Sequence, residues 1–179
     1  MKQCSSLLTG VVAAGLLAMV PAVAQNQSSA NRLTGSDTNF ATRAAQGGMA
    51  EVQLGKLAAE RAASRDVKSF GERMVTDHTK ANDELKSVAA KKGLTLPTSV
   101  DAKDQATYDR LSRLNGAAFD RAYIRDMVAD HRKDVNEFKN EASNGADPDM
   151  KAFAGKTLPV LQEHLQLAEN TESKIKNGK

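Results

Sequence analysis

From Asp37 onward only three places in the chain force a helix to stop, and their positions constrain the fold more than any other feature of the sequence. Ser64 is a capping residue between two helix-forming stretches. Gly93, Pro97 and Gly116 mark a second break that spans residues 93 to 116, by far the longest connection. At the third, Asn144-Gly145 closes one stretch, and Asp147-Pro148 opens the next with a cap and a proline at the first helical position. Between these stops apolar residues recur at spacings of three and four, the period of a half-buried helix.

Four long helices follow. The first, over about 37 to 63, carries a stripe of Phe40, Ala44, Gly47, Glu51, Leu54 and Ala58. The second starts at the Ser64 cap and ends at Gly93, with Val67, Phe70 or Gly71, Met74, His78, Ala81, Leu85 and Val88 inward. The third, over about 117 to 143, turns in Ile124, Met127, His131, Val135, Phe138 and Ala142, and the fourth, over about 148 to 175, turns in Met150, Ala154, Leu158, Leu161, Leu165 and Ala168. His164 is expected at the edge of that last stripe, and Pro159 predicts a kink one turn before it, because proline removes a backbone donor. The long connection has room for a short amphipathic helix over about 101 to 114, with Tyr108, Leu111 and Leu114 inward. Two tight turns and one crossover long enough to traverse a bundle predict an all-α, ferritin-like four-helix bundle.

Ahead of the bundle, Met1-Lys2-Gln3 precedes an apolar run from Leu7 to Val20, and Ala22 and Ala24 supply the small residues of a cleavage site. Residues 1 to 24 are therefore expected to be a signal peptide, 25 to 36 a flexible leader and 37 to 176 the bundle domain. The apolar run is shorter than the ~20 residues that span a bilayer, so no stable membrane insertion is expected after cleavage, and the protein is expected in the periplasm or outside the cell. The single cysteine, Cys4, falls in the signal segment, which leaves the core to hold the mature chain together. The 25 basic and 22 acidic residues of the full sequence are interspersed and it has no Trp, which argues against nucleic acid as a partner. No Ser-His-Asp order, phosphate loop or cysteine nucleophile supports an ordinary enzyme.

The polar exceptions to the apolar stripes are informative. Met74-Val75-Thr76-Asp77-His78 is repeated as Met127-Val128-Ala129-Asp130-His131, and His164 follows Glu163, so each of the three histidines has an acidic residue just before it. Antiparallel partners are level when they are equally far from their turn. Glu51 and His78 are equidistant from the Ser64-Arg65 turn, and His131 and His164 from the turn at Asp147-Pro148. One central layer of Glu51, His78, His131 and His164 is expected. Burying these groups unpaired is costly, and a divalent zinc, iron or manganese ion would satisfy them directly. Asp77, Asp130 and Glu163 could then orient the outer ring nitrogens. Met74 and Met127, one turn before two of the histidines, make cuprous copper a variant, although methionine on an apolar stripe is more often core filler.

Two metal-free alternatives remain open: a hydrogen-bonded network with Glu51 accepting from the imidazoles, and a pH switch in which several imidazoles protonate together. Arg73 and Asp77 are expected to form a solvated pair, with Glu84 and Glu137 also exposed. Gly47, Gly48 and Gly55 lie opposite the layer, where small residues either leave room or allow close packing.

With Gly93-Leu94-Thr95-Leu96-Pro97, Phe119-Asp120 through Tyr123, and Leu158-Pro159 through His164-Leu165, the Met-Val-x-Asp-His segments carry a family resemblance over residues 37 to 170. The chain resembles bacterial exported proteins with the domain of unknown function 4142, a family grouped with the ferritin-like superfamily. The resemblance implies a helical bundle and an envelope location and brings no established activity. Ferritin-like di-iron proteins use Glu-x-x-His, but the residues three before the histidines here are Val75, Val128 and Leu161, so a single-metal site is what remains. The expected function is metal handling or envelope stress without catalysis; the alternative is a metal-free structural or partner-binding stress protein.

Overall fold

A computed structural model describes residues 33 to 178, so the expected signal peptide and most of the expected leader lie outside the described residues. Five helices are present: α1 Gly35–Arg61, α2 Arg65–Lys91, α3 Ala102–Leu111, α4 Gly116–Asn144 and α5 Pro148–Lys176. Helix α1 begins two residues earlier than expected because Thr34 and Asp37 form a reciprocal capping box. Asp147 caps α5 by accepting from the Asp149 and Met150 amides, with Pro148 in the first turn. Pro159 sits inside α5 without ending it. None of the described helices is long and apolar enough to cross a membrane.

The helix directions follow from side-chain pairs. Phe40, near the start of α1, packs edge-on against Phe138, near the end of α4, with ring centroids 4.9 Å apart. At the opposite end the Ala63 and Ser64 amides, in the α1–α2 turn, donate to Asp120 in the first turns of α4. Helices α1 and α4 are therefore antiparallel. Asp66 at the start of α2 meets Lys174 at the end of α5, while Glu84 further along α2 meets Lys156 early in α5. The bundle is up-down-down-up, and the segment carrying α3 runs its length, which is the ferritin-like connectivity.

The core comes in two parts. One cluster, with Leu54, Phe70, Met74, Tyr123, Met127 and Ala168, fills the end near the α1–α2 turn. The other, with Phe40, Leu85, Phe138, Met150, Phe153 and Leu161, fills the end near the α4–α5 turn. On every long helix the residue that separates the two is polar: Glu51 on α1, His78 on α2, His131 on α4 and His164 on α5. Each end is also latched by an aspartate from the other hairpin. Asp120 takes the two turn amides at 3.1 and 2.9 Å, and Asp37 takes the Ala146 amide at 2.9 Å across the α4–α5 turn.

Candidate metal centre

Three imidazoles from three helices meet between the core clusters. The ring centroids of His78, His131 and His164 are 5.4 to 5.8 Å apart, and one ring nitrogen of each lies within 4.8 Å of the other two. His131 and His164 are wholly buried and His78 is 6% exposed. His164 was expected at the edge of its stripe; the inward line of α5 instead runs through Leu161, His164 and Ala168, and Leu165 is only half-buried. Those spacings of three and four place His164 as deep as its neighbours.

Two of the outer nitrogens are held. His131 Nδ1 is 3.0 Å from the Met127 carbonyl one turn back, so it donates there as N–H. His164 Nε2 is 2.8 Å from Asp77 Oδ2, and a carboxylate that only accepts leaves the proton on that nitrogen. The inner atoms His131 Nε2 and His164 Nδ1 thus carry lone pairs, and with His78 Nε2 they are buried without a hydrogen-bond partner. Burial holds all three rings neutral. It pushes His78 well below the usual imidazole range, with His131 and His164 adding to the effect, and it lowers His131 to about 4. His164 is lowered by burial in spite of the Asp77 carboxylate.

Glu51 belongs to the same level but not to the ligand group. Its Oε1 is 4.0 Å from His131 Nδ1, the nitrogen already engaged with Met127, and both its oxygens are buried without a partner. Burial, then the Asp130 carboxylate, push it well above the usual carboxylate range, with Asp134 and Asp104 adding to this. Tyr123 places another buried, unpartnered hydroxyl nearby, and burial, then Glu51, push its pKa well above the usual phenol range. Met74 and Met127 are fully buried in the adjoining apolar cluster.

The three flanking acids divide. Asp77 serves His164 across the helix interface instead of its own neighbour His78, because consecutive residues on a helix point about 100° apart. Arg73, expected to form only a solvated pair with Asp77, bonds it at 3.2 Å and reaches on to Glu163 at 2.5 Å, so a chain runs from His164 through Asp77 and Arg73 to the surface. Glu163 is largely exposed and makes its contact with Arg73, not with an imidazole. Asp130 stands beside Glu51 and lines a cavity next to His78. Glu84 and Glu137, expected to be exposed, are partly covered and paired with Lys156 and Arg43.

The glycines are used for packing more than for room. A Cβ on Gly55 would lie 2.6 Å from the Gly71 carbonyl oxygen, so Gly55 and Gly71 let the α1 and α2 backbones touch. A Cβ on Gly48 would lie 2.0 Å from Asn82 Oδ1, while Gly47 has open space and faces the cavity.

A family model described as a domain of unknown function, DUF4142, matches residues 22–171. The chain belongs to that family. Among solved structures the DUF4142 chain is similar to the crystal structure of a DUF305 fragment from Deinococcus radiodurans, with a TM-score of 0.71 at 15% identity over 80% of this chain and 99% of that one. The likeness extends to the fold alone. No curated protein matches the DUF4142 chain.

Proposed function

We propose that this DUF4142 protein is an exported metal-handling bundle that binds one transition-metal ion through His78, His131 and His164, without catalysis. The observation that carries the reading is the division of labour among the ring nitrogens: inner ones without partners, outer ones on His131 and His164 fixed by a carbonyl and a carboxylate. Ligating histidines are held in this way. Metal–nitrogen distances of ~2.0–2.1 Å set ligand nitrogens roughly 3.3 Å apart, so nitrogens now within 4.8 Å need to close by about 1.5 Å at most. That is within the reach of small χ adjustments.

Three neutral imidazoles suit zinc, copper or ferrous iron, and the absence of a carboxylate from the group makes manganese the poorest of the expected ions. Met74 and Met127, one turn from two of the ligands, keep cuprous copper in the set. A metal-free network would pair the inner nitrogens with Glu51, but the Glu51 oxygens and these nitrogens are unpartnered, which favours the metal reading. Export rests on the signal segment at residues 1 to 24.

Elemental analysis of protein isolated from the periplasm should find about one equivalent of metal. Chelation should lower the melting temperature, since an ion at 1,000 times its Kd adds about 4 kcal/mol to folding stability. Metal-free protein with a melting curve indifferent to chelator and to added zinc or copper would overturn the proposal. Recovery of the uncleaved chain from the cytoplasm would overturn the export reading.

A further inference from the structure

One cavity of about 240 Å³ connects the surface with the histidine cluster, and its walls are acidic. His78 lies in its lining, nine-tenths buried, with Nε2 unpartnered. Asp130, Asp134 and Glu137 line it from α4, at spacings of four and three along one face. Asp101 and Asp104 line it from the capping turn of α3, where Asp101 accepts from the Asp104 amide. The basic residues facing the same space are Arg43, Lys103 and Lys133, and Arg43 is tied to Glu137 at 2.5 Å. Five carboxylates therefore face three cations, and setting aside the Arg43–Glu137 pair leaves four carboxylates against two cations.

Like charges stacked along a helix face are destabilising. The strain is visible in the groups themselves: burial and Asp130 push Asp134 up to about 7, and burial, Asp101 and Asp130 raise Asp104. A fold that needed only an inert wall here would do better with neutral side chains. The arrangement is matched to a cation, and its floor is an imidazole of the centre.

We propose that this cavity is a loading vestibule, in which Asp104, Asp130 and Asp134 hold a hydrated divalent cation one step before His78 draws it into the three-histidine centre. Six waters occupy roughly 180 Å³ at ~30 Å³ each, so a fully hydrated ion fits the space. Oxygen donors suit an ion that still keeps its water, and the nitrogen site beyond takes it as water is shed. The start of α3 forms part of the rim, which gives the crossover helix a role beyond connecting α2 to α4. Clefts lined by one sign of charge concentrate the counter-ion and speed association, with a strong dependence on ionic strength.

The inference rests on the three-histidine reading, and kinetics separate the two. Stopped-flow loading of the metal-free mature chain with Zn²⁺ or Co²⁺ at low ionic strength should slow about tenfold or more in the Asp104→Asn/Asp134→Asn double variant, with equilibrium affinity within about threefold of wild type. Lys103→Gln should change the rate in the opposite direction, and Glu60→Gln/Glu72→Gln, the same two-charge change as the double variant but outside the cavity lining, should leave it unchanged. A double variant that loads at the wild-type rate, or a Glu60→Gln/Glu72→Gln pair that slows loading equally, overturns the vestibule while leaving the centre intact. A wild-type chain that takes up no metal overturns the centre itself. The variants relieve like-charge repulsion, so their melting temperatures should not fall; Lys103→Gln, on an exposed side chain, gives an independent reading if they do.

Discussion

Replacing Asp77 with asparagine tests how the centre selects its lone pairs. Asp77 Oδ2 lies 2.8 Å from His164 Nε2 and is only an acceptor, so it keeps the proton on that nitrogen and leaves Nδ1 free among the other imidazoles. Burial raises and the contacts with His164 and Arg73 lower the Asp77 pKa, with a net fall, so the group is a carboxylate at neutral pH. An asparagine can turn its NH₂ toward Nε2, which permits the opposite tautomer and points an N–H into the site. Loss of such a partner weakens metal affinity by 10- to 100-fold, about 1.4 to 2.8 kcal/mol. The Asp77 side chain is 27% exposed, so screening by water puts the expected effect in the lower half of that range. Competition titration of zinc between the metal-free variant and a chelating dye measures it, with stoichiometry still at one. Arg73→Gln removes only the outer link of the chain and should cost less than about threefold. Equal affinities for Asp77→Asn and wild type, or equal losses for Asp77→Asn and Arg73→Gln, would refute the assignment of the His164 tautomer.

Three further outcomes follow from the packing. Glu51→Leu should stabilise the metal-free protein by about 1 to 3 kcal/mol in denaturant titrations, because it removes two buried oxygens that have no partner; a destabilised variant would show that Glu51 is satisfied. Asp120→Ala should cost about 2 to 4 kcal/mol by freeing the Ala63 and Ser64 amides, and a loss below about 0.5 kcal/mol would remove the latch from the account. Glu141 is raised to about 7, first by burial and then by Asp37, so the folded state holds a proton that the unfolded chain releases above about 4.5; this contribution is present in acid and is lost as pH rises through 7, up to about 3 kcal/mol. Glu141→Gln should therefore gain stability relative to wild type between pH 5 and pH 8, and a pH-independent difference would contradict the shift.

The bundle and its layer were legible because both depend on spacing along single helices and on distance from two tight turns. Stops at Ser64, Gly93 and Asp147-Pro148 set the helix boundaries to within about two residues, and equal distances from the turns brought His131 level with His164. What spacing along one helix cannot show is which partner a side chain meets on the next. Asp77 precedes His78 in the sequence, yet i and i+1 diverge by about 100°, and its acceptor role falls to His164, 87 residues away. The two latches, Asp37 and Asp120, were hidden for the same reason: each binds a turn of the opposite hairpin, and neither disturbs its own helix stripe. Asp104 and Asp134 gave no local signal either, since only the path of the crossover puts the start of α3 over α4.

The donor set also bears on the kind of ion this version of the ferritin-like bundle could hold. In carboxylate-bridged di-iron sites the ligands themselves cancel most of the metal charge, and the Glu-x-x-His helices supply them. Here the three candidate ligands are neutral, and Val75, Val128 and Leu161 stand where those glutamates would be. Any charge on the ion must be balanced from one layer out, by Asp77 through His164, by Glu51 once it gives up its proton, and by Asp130 beside it. Each unit of uncompensated charge in a low-dielectric core is costly, so the penalty rises steeply from a monovalent to a trivalent ion. Cuprous and divalent ions fit such a centre, and ferric iron fits it worst, which separates this bundle from the oxidative chemistry that its fold supports when carboxylates line the core.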